Sequence, residues 1–69
     1  MNAAATLSWL DAHGNWKHLF GFEPERTAMV EDAAASLARA IGITQMRIVD
    51  VDGTERYLNA NGAFRVRAQ

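Results

Sequence analysis

Cysteine is missing from this chain, which removes disulfides, thiolate metal sites and cysteine nucleophiles together. Histidine occurs only as His13 and His18, too few for a convincing zinc site. No apolar run exceeds a few residues, so no membrane span is expected. The start, Met1-Asn2-Ala3-Ala4-Ala5, lacks the basic residues and apolar stretch of a signal peptide, and the expected location is cytoplasmic. The five glycines are spread along the chain and never cluster as a phosphate cradle requires. No catalytic motif is present, so no enzyme activity, cofactor or metal is expected.

Sixty-nine residues make one domain, 1–69. A domain this small buries only about 60% of the surface of its unfolded chain. Without disulfides or a metal, its stability rests on close packing or on a partner subunit. The net charge is −1, but it is uneven. Residues 1–36 carry Asp11, Glu23, Glu25, Glu31 and Asp32 against Lys17 and Arg26, whereas residues 37–69 carry five arginines against Asp50, Asp52 and Glu55. Such asymmetry predicts one acidic and one basic surface.

Residues 6–22 read as a β-hairpin with Gly14-Asn15 or His13-Gly14 at its turn. Alternation then places Leu7, Trp9, Trp16, His18, Phe20 and Phe22 on one buried face, with His18 at the core edge and His13 solvated. Pro24 suits a first helical turn, Val30, Ala33, Ala34, Leu37 and Ile41 recur at helical spacing, and Gly42 suits a helix end, which predicts a helix over 24–41. Its outer surface is assigned Glu25, Asp32, Ser36 and Arg39 beside Ala28, Met29 and Ala35, a smooth alanine-rich face on which a second copy or a partner would sit.

Two further turns, Asp52-Gly53 and Asn61-Gly62, separate three strands. As two-residue turns they pair Ile48 with Tyr57 and Tyr57 with Val66. Met46, Ile48, Tyr57, Phe64 and Val66 then share the core face, while Arg47, Arg56, Arg65 and Arg67 share the other with Val49, Val51 and Leu58. The predicted fold is α+β, a single antiparallel sheet of about five strands in the order β-β-α-β-β-β with one helix on its aromatic side.

Two candidate surfaces follow. The acids Glu25, Glu31, Asp32, Asp50, Asp52 and Glu55 form a partner-binding set that would imitate nucleic-acid phosphates before a larger protein or nucleoprotein complex. Asp50 opposite Glu55 is unfavourable unless Arg26, Arg39, a cation or a basic partner relieves it. Asp50, Asp52 and Asn59 supply oxygens for a weak calcium site but lack the remaining ligands of a calcium loop. The alternative surface is Arg47, Arg56, Arg65 and Arg67 as a nucleic-acid site, weakened because no aromatic side chain is expected on that face for bases to stack on. A third reading is a homodimer or other homo-oligomer burying the alanine face or Leu10 and Leu19.

Trp9, the Gly14-Asn15-Trp16 turn, the helical run Ala33-Ala34-Ala35-Ser36-Leu37-Ala38 and the Asp52-Gly53 hairpin make the chain resemble, in size and pattern, the small phage-encoded inhibitors of bacterial defence known as anti-CRISPR proteins. The resemblance spans the whole chain and carries no diagnostic motif, so no site residue is transferred. It implies a non-enzymatic, protein-binding inhibitor from a phage or other mobile element.

Overall fold

The computed structural model describes residues 4–66. Arg67, the last member of the arginine set, lies outside the described residues. The architecture is α+β: β1 (Ala5–Leu10), β2 (Trp16–Phe22), a 3₁₀ turn (Pro24–Arg26) running into α1 (Thr27–Ile41), β3 (Met46–Val49), β4 (Glu55–Leu58) and β5 (Phe64–Val66). The strands form one antiparallel sheet in the order β2-β1-β3-β4-β5. Since β1 is antiparallel to both neighbours, β2 and β3 run parallel with β1 between them. Their connection must therefore traverse the sheet, and α1 makes that crossing.

The helix begins where Pro24 needs no N–H partner, and Thr27 Oγ1 donates to the Pro24 carbonyl at 2.7 Å. It ends at Gly42, whose φ of 76° is the left-handed conformation, with the Ile43 N–H returning to the Ala38 carbonyl at 2.9 Å. Ala34, Ala35 and Ala38 are its buried residues, and their small size lets the helix lie close on the sheet. Below them Leu7, Met46 and Ile48 are fully buried, joined by Phe64 and flanked by Trp9, Phe22, Val30, Ile43 and Leu58. The expected stripe is rotated: Val30 and Ala34 face the sheet, whereas Ala33, Leu37 and Ile41 are exposed and Ala35, expected outside, is inside. The arc bearing Thr27, Glu31, Ala34 and Ala38 is the one the sheet covers.

Each of the three hairpin turns is one residue longer than a two-residue loop, and all share one construction. Asp11, Asp50 and Asn59 each accept, on their carbonyl, the N–H of the glycine three residues on, while their own N–H reaches the carbonyl four residues on. Gly14, Gly53 and Gly62 take φ values of 83°, 89° and 82°, the left-handed position that closes a three-residue loop. In the first and third turns the leading side chain holds the loop as well: Asp11 Oδ1 accepts from His13 and Asn15 at 2.9 Å, and Asn59 Oδ1 from Asn61 at 2.9 Å and Ala63 at 3.0 Å.

The extra residue inverts faces. Arg47 pairs with Tyr57 and Ile48 with Arg56, so Tyr57 leaves the expected core face and Arg56 and Leu58 move to the helix side. The next turn adds the same shift, which returns Phe64 and Val66 to the helix side and Arg65 to the open side opposite Tyr57. In the first hairpin, Ser8 faces His18 and Leu10 faces Trp16, placing Trp16 and His18 on the open side. A bulge between Leu7 and Ser8, with Leu19 as the additional residue, then brings Phe20 and Phe22 back beside Leu7 and Ala5.

Candidate functional site

Register alone assembles one row across the whole open face. His18 faces Ser8, Ser8 faces Arg47, Arg47 faces Tyr57, and Tyr57 faces Arg65, one residue from each strand. At ordinary strand spacing the row spans about 19 Å and separates the Arg47 and Arg65 backbones by about 10 Å. The helix lies on the other side of the sheet and leaves this row uncovered.

The middle of the row is a packed cluster. Trp16 projects from the start of β2, and the Arg47 guanidinium carbon lies 4.4 Å from its ring centroid. That stacking contributes roughly 0.5–2 kcal/mol. Tyr57 meets the same indole edge-on, with ring centroids 6.0 Å apart and planes at 65°. Ser8, opposite Arg47 in the same row, is buried. The Tyr57 hydroxyl donates to Glu55 Oε1 at 2.6 Å, and Arg47 Nη1 stands 4.0 Å from the other oxygen of that carboxylate. Arg47 Nε is buried and makes no hydrogen bond within the described residues.

Arg56 is absent from this face. On the helix side its Nη1 lies 3.9 Å from Glu31 on α1 and 3.7 Å from Asp50, tying helix to sheet through half-buried groups. The arginine set therefore divides: Arg47 and Arg65 share the open face, and Arg56 is a structural cation beneath the helix. Aromatic side chains, expected to be missing beside the arginines, are supplied by Trp16 and Tyr57. His18, expected at the core edge, is exposed at the end of the row.

The acidic set gathers at one end of the molecule, where β2 hands over to the helix and β3 turns into β4. Of the eight acids in the chain, all except Asp11 lie there. Glu31 and Asp50 share Arg56 as their cation. Glu23 pairs with Arg26 at 3.9 Å. Glu25 and Asp32 are exposed, with no ion pair among the described residues. Val49, not Asp50, faces Glu55. The expected opposition of these carboxylates thus does not arise, and Arg56 rather than Arg26 or Arg39 compensates Asp50.

Asp52 Oδ1 accepts the Thr54 N–H at 2.9 Å, and this bond holds its carboxyl below the ordinary 3.8. Asp11 is lowered likewise, first by the Asn15 N–H and then by that of His13 and the Lys17 ammonium, 3.7 Å away. Asp50 Oδ1 accepts the Val51 N–H at 2.7 Å, and Asn59 caps a turn at the opposite end of β4, so the oxygens considered for calcium do not converge. No group of three or more metal-ligating side chains occurs among the described residues.

A cleft of about 420 Å³ opens between the end of α1 and the 59–63 turn, floored by Ala35, Ala38, Ile43 and Leu58 with Arg39 and Asn61 at its rim. Leu10 is half-buried on the open face and Leu19 is exposed at the bulge. No helix among the described residues is long and apolar enough to cross a membrane. No protein-family model, curated protein or solved structure matches the chain.

Proposed function

We propose that this protein is a non-enzymatic protein-binding module whose contact surface is the open face of the sheet, centred on Trp16, Arg47 and Tyr57 and extended by Arg65. The observation that carries this reading is the stacked Trp16–Arg47–Tyr57 cluster on a face no helix covers. Tryptophan, tyrosine and arginine are the residue types that dominate binding energy at protein interfaces. A cluster already ordered in the free protein loses little side-chain entropy on binding. Single-strand nucleic-acid binding is the weaker alternative, because bases need free aromatic faces and the Trp16 ring is already capped by a guanidinium. The size of the chain and its resemblance to small phage inhibitors suggest a larger protein or nucleoprotein complex as partner.

The acidic end supports a second contact. Glu25 and Asp32 lie exposed where β2 hands over to the helix, and exposed charges of one sign accelerate association with a basic surface.

Immobilised wild-type protein, Arg65→Glu and the double variant Glu25→Lys/Asp32→Lys, exposed to a lysate of the native host with and without nuclease, test both readings. The open-face reading expects a protein retained by wild type and lost with Arg65→Glu, unchanged by nuclease. Equal retention by Arg65→Glu would overturn it, and retention that vanishes with nuclease transfers the face to nucleic acid. The acidic contact expects slower capture by the double variant.

A further inference from the structure

Among the described residues, Arg47 and Arg65 flank Tyr57 on either side of the open face, and Glu55 is the only acid that shares it. Glu55 is held by the Tyr57 hydroxyl at 2.6 Å but stands 4.0 Å from Arg47, the outer limit of an ion pair. Arg47 keeps a buried, unbonded Nε, and only a quarter of its side chain is exposed. The guanidinium carbon lies over Trp16, 4.4 Å from its ring centroid. A guanidinium is suited to a planar carboxylate, which accepts two parallel hydrogen bonds. Glu55 does not satisfy that fork; it holds the position weakly.

Resting on the open-face reading above, we infer that the partner is recognised by an acidic segment whose carboxylate is taken at Arg47, with a second acid reaching Arg65, and that Glu55 is an internal placeholder displaced on binding. The charge on the face fits this occupant: once Glu55 turns aside, two cations about 10 Å apart remain beside an aromatic ring. Acids on alternate residues of an extended segment, about 7 Å apart, match that separation through the reach of their side chains.

The test is a fluorescence-anisotropy titration of a fluorescein-labelled hexaglutamate peptide, with a labelled ten-nucleotide oligothymidylate in parallel. The proteins are wild type, Glu55→Gln, Arg65→Met and Arg39→Met, the last removing an equal charge at a distant site. Glu55→Gln keeps an acceptor for Tyr57 and removes only the charge. Its side chain is 46% exposed, so the fold tolerates the change. The expected result is hexaglutamate binding that tightens about two- to fivefold in Glu55→Gln, is lost in Arg65→Met and is unaltered in Arg39→Met. Affinity unchanged or weakened in Glu55→Gln would overturn the placeholder. Oligothymidylate binding as tightly and with the same dependence on Arg65 would overturn the carboxylate in favour of phosphate. No peptide binding at all also overturns the inference, while loss of partner capture in Arg65→Glu would still uphold the open face itself.

Discussion

Arg47 and Arg56 stand on neighbouring strands one register step apart, and their surroundings have little in common. Arg56 points under the helix and spends its charge on Glu31 and Asp50. Arg47 points to the open side, lies on an indole, and leaves a buried nitrogen without a partner. In the first arrangement one cation is shared by two carboxylates, one on α1 and one at the end of β3, and it fastens α1 to the sheet. The second is incomplete. A half-satisfied arginine in an aromatic setting is costly to keep unless an outside group completes it. The two faces of this sheet thus differ, with stability beneath the helix and, on the reading proposed above, recognition on the open side.

Removing core volume should separate the faces most sharply. Leu7→Ala leaves a cavity at the centre of the helix-covered side and is expected to cost about 2–5 kcal/mol, read as a lowered urea midpoint. Tyr57→Phe, on the open side, removes only the hydroxyl held by Glu55 and should cost about 1 kcal/mol or less. Similar losses at the two sites would break the division. The arginines come next. Arg56→Met strands two carboxylates and should destabilise by about 1–2 kcal/mol while leaving hexaglutamate binding intact. Arg47→Met should do the reverse, costing stability only through the lost stacking, about 1 kcal/mol, and abolishing that binding.

Smaller effects sit in the turns, which anchor both faces. Gly53→Ala forces a side chain into a φ of 89° and should cost about 1–2 kcal/mol. Asp11→Ala removes the acceptor for two N–H groups and should lower the urea midpoint, whereas Asp11→Asn should be nearly neutral because Asn59 already fills that role in the third turn. Acid separates the turns further. Asp11 and Asp52 are both lowered in the folded protein, so their contribution is present above the ordinary value of 3.8 and is lost as pH falls through the folded one. Urea midpoints at pH 7 and pH 3 should differ less in Asp11→Asn than in wild type, while Asn59→Asp should add acid sensitivity.

Element order was legible because each period is strong: Leu7 to Phe22 alternates, Val30 to Ile41 recurs at helical spacing, and Gly42 marks the change between them. Parity was not. A glycine in a hairpin turn is compatible with two- and three-residue loops, and one residue decides which way a strand faces. The deciding signal is the Asp or Asn three positions before each glycine, at Asp11, Asp50 and Asn59, whose backbone closes the longer loop, joined at Asp11 and Asn59 by the side chain. The extra residue occurs in both of the later turns, so Phe64, Val66 and Arg65 keep their expected sides while β4 is inverted, which is why Arg56 and Tyr57 exchange faces. The aromatic half of the candidate site was hidden in the same way, since Trp16 joins Arg47 only when the first turn carries its third residue. The bulge at Leu19 has no comparable marker in the sequence.

That bulge also bears on how copies of this chain behave in a crowded solution. The strand β2 is an outer edge of the sheet, seven residues long, with Leu19 and Phe20 exposed. A regular edge of that length would invite another copy to zip alongside it. The additional residue breaks the even spacing of its free N–H and carbonyl groups midway, so an incoming strand in register with one half falls out of register with the other. The bulge that returns Phe20 and Phe22 to the helix side thereby also guards the edge against sheet-to-sheet growth.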